Sequence, residues 1–213
     1  MKRHRITIFP SLLAVEKRNT LRHWKEVEPF VEGVHIDPMD GIFVKNTTRF
    51  SPAFVCRLKT TKVKDVHLMV VDPLVVLPAY VRAGANEVDI HIETLSNPGS
   101  TLRQLRKQFP KLTIFLALNP ETPAKKIYPY LTHIDGVLCM TVRPGKGGQP
   151  FLSSVLRKIQ ALHRRAPTLP IKVDGGINDI TAKKVITAGA TILVSGAYIF
   201  QHKNPKIAIR TLQ

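Results

Sequence analysis

The stretch "IDGVLCMTVRPGKGGQPFLSSVLRKIQALHRRAPTLPIKVDGGIN", residues 134–178, holds in one run the pieces on which the fold turns. It begins with a near-continuous apolar segment, "IDGVLCMTV" (134–142), and passes through a glycine-rich turn, "RPGKGGQPF" (143–151). It then enters "PFLSSVLRKIQALHRRA", where apolar residues recur at three and four, and returns to a second apolar segment, "IKVDGGI" (171–177). Spacing of three and four puts apolar side chains on one face of a helix. Short apolar runs without strict alternation suit strands covered on their outer side, as in a parallel sheet. The stretch therefore reads as strand, crossover helix, strand.

The same unit recurs in both directions along the chain. Six further runs have strand character: "ITIFPSLLA" (6–14), "GVHIDP" (33–38), "KDVHLMV" (64–70), "NEVDIHIE" (86–93), "KLTIFLALN" (111–119) and "TILVSGAYIF" (191–200). Amphipathic segments such as "TLRHWKEVEPFV", "PLVVLPAYVRAG", "STLRQLRKQF" and "DITAKKVITAGA" lie between them. Eight units without a composition break predict one α/β domain over residues 1–213, a single closed (β/α)8 TIM barrel. A chain of 213 residues is short for that fold, so lean loops and a brief last helix, "NPKIAIRTL", are expected. A doubly wound sheet would need GxGxxG after an early strand, and none is there.

Composition narrows the class of protein. Apolar residues make up 44% and charged residues 22%, ordinary values for a chain that builds a core. Cys56 and Cys139 fit neither a disulfide framework nor a CxxC metal site, which points to two semi-buried thiols in a reducing cytoplasm. The basic start and apolar run of "MKRHRITIFPSLLAV" imitate a signal peptide. Pro10 interrupts the run, no small-residue cleavage site follows, and a first strand is the reading. No apolar run approaches the roughly 18 residues of a membrane helix.

Lysine and arginine number 32 against 15 acidic residues, a net charge of +17 with a pI near 10.2. Such a charge invites a nucleic-acid partner. The basic residues are nevertheless scattered, and aromatic residues, at 7%, offer few stacking platforms. A solvated basic surface that attracts anionic metabolites is the better reading.

Barrel chemistry sits at the C-terminal ends of strands, and there the chain keeps its polar exceptions. His35 and Asp37 end the second strand, His67 lies toward the end of the third, His91 and Glu93 end the fourth, Asn119 ends the fifth and Asp174 the seventh. Side chains two apart share a strand face, so His35 and Asp37 can meet one cation. With His67 and Asp174 they offer two imidazoles and two carboxylates, suited to one divalent ion such as Zn2+, Fe2+, Mn2+ or Co2+. Placement alone leaves hydrogen-bonded core histidines equally open. The turns "RPGKGGQPF", "DGGIN" and "SGA" can cradle a phosphate with their amides, and three at adjacent strand ends favour that over mere tight turning.

The segments "HIDPMDGIFVKN", "VHLMVVDP", "AGANEVDIHIE", "LALNPETP", "VLCMTVRPGKGGQPF", "VDGGIN" and "AGATILVSGAYIF" resemble the ribulose-phosphate 3-epimerase family, in its order and spacing, from Ser11 to Phe200. The resemblance implies an isomerase of carbohydrate metabolism, in the pentose phosphate pathway, that interconverts D-ribulose 5-phosphate and D-xylulose 5-phosphate with one divalent metal. It places the metal ligands at His35, Asp37, His67 and Asp174, and the acid/base pair at Asp37 and Asp174. It matches Ser11, His67, Met39, Met69 and Met140 to positions around the sugar. Gly147, Gly148, Gly175, Gly176, Gly196 and Ala197 fall in the phosphate-binding turns. The expected reaction is two-carboxylate proton transfer at C3 through a metal-stabilised enediolate. A cytoplasmic homo-oligomer acting on a small sugar phosphate is expected.

The chain departs from the family pattern in places. "PSLLAVEKRN" rewords the first loop, Lys45 stands where proline is usual, Lys146 where phenylalanine is common, and Ala197 where serine is usual. Lys146 is expected to face solvent, and Ala197 removes a hydroxyl donor while keeping the amide. Asp40, past the strand end in "MDG", is expected to shape the turn. An epimerase for allulose 6-phosphate and a basic polyanion-binding barrel without activity are the competing readings.

Overall fold

The computed structural model describes residues 6–213, so the basic residues 1–5 of the N-terminal stretch lie outside the described residues. Eight parallel strands form one sheet. They are β1 (Thr7–Pro10), β2 (Gly33–Ile36), β3 (Val63–Leu68), β4 (Glu87–His91), β5 (Thr113–Leu118), β6 (Gly136–Met140), β7 (Ile171–Asp174) and β8 (Ile192–Ser195). The order is β1-β8-β7-β6-β5-β4-β3-β2, and a parallel bridge between Ser11 and His35 brings the two end strands together at the C-terminal mouth.

Helices wrap the outside: α1 (Thr20–Val27), α2 (Pro52–Arg57), α3 (Pro73–Arg82), α4 (Pro98–Gln108), α5 (Leu156–Arg165), α6 (Asp179–Ala188), α7 (Ala197–Phe200) and α8 (Pro205–Leu212). The strand β5 departs from the expected alternation, being followed by two 3-10 turns, Ala124–Lys126 and Tyr128–Tyr130. Proline at the start of α2, α3, α4 and α8 fits a position whose amide has no helical partner. Asn178 closes the entry to α6 with a capping box completed by Thr181. The last helix is brief, as expected.

The runs read as strands were longer than the strands they contain. Leu12–Ala14, Ile92–Thr94 and Ala197–Phe200 are helical turns, not strand. Each turn keeps one apolar residue, Leu12, Ile92 or Ile199, buried in the main core, so burial continues where extended backbone stops. Cys139 is fully buried and Cys56 exposed, which corrects the expectation of two semi-buried thiols.

The main core lies between sheet and helices. Outward-facing Val34, Ile36, Val66, Leu68, Val88 and Ile90 pack against a shell that includes Leu77, Leu105, Ile159, Leu162 and Leu212, all buried. Each such side chain contributes about 1.5–3 kcal/mol when fully removed from water. Inside the barrel, small and large residues interlock: a Cβ on Gly136 would stand 2.1 Å from a ring carbon of Phe115. Only glycine there lets that ring lie across the interior.

Candidate active site

Four side chains converge just inside the C-terminal mouth. His35 and His67 sit on the inner face of β2 and β3, Asp37 follows β2, and Asp174 closes β7. One donor atom from each lies within 4.8 Å of the others. Asp37 Oδ1 is 3.2 Å from His35 Nε2 and 3.3 Å from His67 Nδ1, and Asp174 Oδ2 is 3.9 Å from both of these nitrogens.

Three of the four donors are held from behind. Ser11 Oγ donates to Asp37 Oδ2 at 2.7 Å, leaving Oδ1 for the cluster. His35 Nδ1 lies 2.6 Å from Asp65 Oδ2, so Nδ1–H donates to the carboxylate and Nε2 is left to face the cluster. His35 Nε2 is buried without a hydrogen-bond partner of its own. His67 Nε2 meets His91 Nε2 at 2.8 Å, and His91 Nδ1 meets Glu93 Oε2 at 3.2 Å. Glu93 only accepts, so the tautomers that satisfy this chain put protons on His91 Nδ1 and His67 Nε2. His67 Nδ1 then turns its lone pair toward the cluster, 3.3 Å from Asp37 Oδ1. Two imidazoles with anchored tautomers and two carboxylates fit a divalent cation well.

Electrostatics separates the two carboxyls. Burial works against ionisation of Asp37, but His35 and His67 overcome it and hold its pKa below the usual carboxylate range. Burial dominates at Asp174 and, with Asp37 and Asp65 nearby, pushes its pKa up to about 7. Burial opposes the charged form of His35, yet Asp37 and Asp65 raise its pKa well above the ordinary histidine value. A proton and a metal ion therefore compete for its Nε2. Burial, His91 and His35 bring His67 down to about 4 against the opposing pull of Asp37.

Above the cluster opens one cavity. Ser11, Asp37, Met39, Met69, Met140 and Asp174 line its wall, and Gly147, Gly148, Gly175, Gly176, Gly196 and Ala197 line its rim. His35 and His67 lie beneath it, fully buried. The structure thus brings together every site residue proposed from sequence. Lys146 is exposed at the rim and Lys45 exposed in the second loop. Asp40 accepts the amides of Ile42 and Phe43 at 2.8 and 2.9 Å and that of Val71 at 2.8 Å, so it does shape the turn. Sequence reading missed Asp65, Glu87, Asp89 and Lys172 in the barrel interior. The signal was available: Asp65 precedes His67, Asp89 precedes His91 and Lys172 precedes Asp174 by two positions, on the same strand face.

The fold and its mouth place the chain among (β/α)8 barrel proteins. A crystal structure of KGPDC from Streptococcus mutans in complex with D-R5P shares this architecture with a TM-score of 0.74 at 16% identity, covering 97% of this chain and 95% of that one. Residues 7–200 match the Ribulose-phosphate 3 epimerase family. A ribulose-phosphate 3-epimerase of Bacillus subtilis (strain 168) is 38% identical, over 98% of both chains. A chloroplastic ribulose-5-phosphate-3-epimerase of Arabidopsis thaliana is 36% identical, over 98% of this chain and 76% of its own. The chain belongs to the ribulose-phosphate 3-epimerase family and is an isomerase.

Proposed function

We propose that the protein, working as one barrel domain, interconverts D-ribulose 5-phosphate and D-xylulose 5-phosphate by metal-dependent epimerisation at C3. The observation that carries this reading is the opening of the Asp37 and Asp174 carboxyls onto a single cavity rimmed by three glycine turns. Epimerisation removes the C3 proton from one face and returns a proton to the other, which suits two carboxylates. One takes the C3 proton as base, the other delivers a proton as acid, and the roles exchange in the reverse direction. Ser11 holds Asp37 in place by its 2.7 Å hydrogen bond.

His35, Asp37, His67 and Asp174 are the residues that would hold the metal. A divalent cation bound there supplies Lewis-acid stabilisation of charge on the sugar oxygens and favours ionised carboxyls. Amides of the turns at Gly147, Gly148, Gly175, Gly176, Gly196 and Ala197 hold the phosphate. Met39, Met69 and Met140 give an adaptable apolar wall that hydrogen-bonds neither epimer strongly.

The test is turnover of ribulose 5-phosphate with C3 proton exchange followed in deuterated solvent. Asp37→Asn and Asp174→Asn are each expected to lose 100-fold or more, at the scale of a removed acid or base (~10²–10⁴). Wild-type rates in both, with metal content unchanged, would sink the mechanism. Faster turnover of allulose 6-phosphate would reassign the substrate, and salt-sensitive RNA binding without epimerase activity would favour the polyanion reading. Among the described residues no helix is long and apolar enough to cross a membrane. A cytoplasmic location belongs to the same reading, in line with two free cysteines, as does a homo-oligomer, supported by the exposed apolar Ile42, Val71 and Val75. A monomeric mass in light scattering would contradict it.

A further inference from the structure

Below the metal-site residues, the barrel interior carries a second charged group that the proposed reaction does not use. Asp65, Asp89 and Lys172 are fully buried, and Glu87 is nearly so. Lys172 Nζ stands 2.7 Å from Asp65 Oδ2, 2.7 Å from Glu87 Oε1 and 2.9 Å from Asp89 Oδ1. The ammonium also lies 4.3 Å from the centroid of the Phe115 ring, a cation–π distance. Donor atoms of His35, Asp65 and Asp89 fall within 4.8 Å of one another, close enough to hold a metal ion. The ammonium of Lys172 already stands against the two carboxylates of that group. The barrel therefore stacks two cation positions, and the lower one is filled by a side chain.

The two positions share an atom. Asp65 Oδ2 lies 2.7 Å from Lys172 Nζ and 2.6 Å from His35 Nδ1, so both donate to the same oxygen. With two donors on one oxygen, the carboxylate cannot turn without losing one of them. The His35 ring is thereby held with Nδ1 protonated and Nε2 toward Asp37, 3.2 Å away. Charge neutralisation alone would require only that an ammonium be near. The shared oxygen makes the contact directional.

We propose that Lys172 is a positioning residue for the metal site, acting through Asp65 on the His35 ring. The proposal rests on the reading of His35 as a metal ligand. It assigns to the lower charge cluster the task of presenting Nε2 in one orientation and one tautomer.

Titration of the full-length protein with Co2+, followed by its visible absorption band, tests the proposal without reference to activity. Lys172→Met is expected to weaken Co2+ binding by about tenfold or more and to alter the band, at the low end of losses for groups behind metal ligands. Asp65→Asn is expected to weaken it at least as much. The double variant should bind no more weakly than Asp65→Asn alone, because Lys172 acts through that residue. Should Lys172→Met fail to fold, Lys172→Met with Asp89→Asn keeps the formal net charge of the cluster and is expected to give the same loss. A folded variant with lower thermal stability but wild-type Co2+ affinity and band overturns the proposal, as do losses that multiply in the double variant. Wild-type protein that takes up no Co2+ overturns it together with the metal reading, whereas normal wild-type uptake with an unaffected variant overturns it alone.

Discussion

Glu93 shows how much one side chain decides at the barrel mouth. Besides the contact with His91, it accepts the Asn119 amide at 2.9 Å and the Thr122 hydroxyl. Burial alone would raise its pKa, but these donors bring it from 4.5 down to about 2. A carboxyl depressed on folding contributes stability that is fully present above its unfolded pKa and lost as pH falls through the folded one. With its side chain 19% exposed, the gap corresponds to on the order of 3 kcal/mol. Glu93→Gln is therefore expected to be less stable at pH 7 and to lose less further stability between pH 4.5 and pH 2 than wild type. Urea unfolding across that range checks it, and parallel pH curves for the two proteins would refute the assignment. At this scale His35, Asp37, His67 and Asp174 were legible because each breaks an apolar run near a strand end. Lys172 and Asp65 were harder to see, since a lone charge in an apolar run has no meaning until its partner, 107 residues away in this case, is known.

The glycine turns that rim the cavity, proposed above to hold the phosphate, are not equivalent. Gly175 has φ +117°, and a Cβ there would stand 2.4 Å from Val142 Cγ2. Gly175→Ala meets both left-handed strain and a collision, each worth about 1–3 kcal/mol. A Cβ on Gly147 would meet nothing within 4 Å. Gly147→Ala is expected to stay within about 0.5 kcal/mol of wild type, as for an ordinary surface change. Thermal melting together with KM for the sugar phosphate distinguishes them: both readouts shift for Gly175→Ala, and melting is unchanged for Gly147→Ala. Equal melting shifts would contradict the assignment. Sequence marked all three turns as one kind of feature, since glycine looks the same whether its backbone needs the left-handed region or not. Apolar patterning likewise ran the strands into the turns at Leu12–Ala14 and Ala197–Phe200, because it reports burial and not backbone angle.

Across the whole molecule the net charge of +17 would act on the phosphate group of the proposed substrate. Exposed charges act over the Debye length, which shrinks from about 30 Å at 0.01 M salt to about 8 Å at 0.15 M. The ratio kcat/KM is expected to fall several-fold over that range while kcat holds steady, as electrostatic steering requires. A flat salt profile would leave the charge without a part in substrate capture. By itself the sequence determined the eight strands, their alternation with helices everywhere but after β5, and the polar residues at the strand ends, because burial pattern and side-chain chemistry are written locally. Only the tertiary structure decided which atoms face one another: the bridge from Ser11 to His35 at the mouth, the tautomers set by Asp65 and Glu93, and the ammonium in the lower cation position. Those depend on how eight strands register as the barrel closes, and no single strand carries that register.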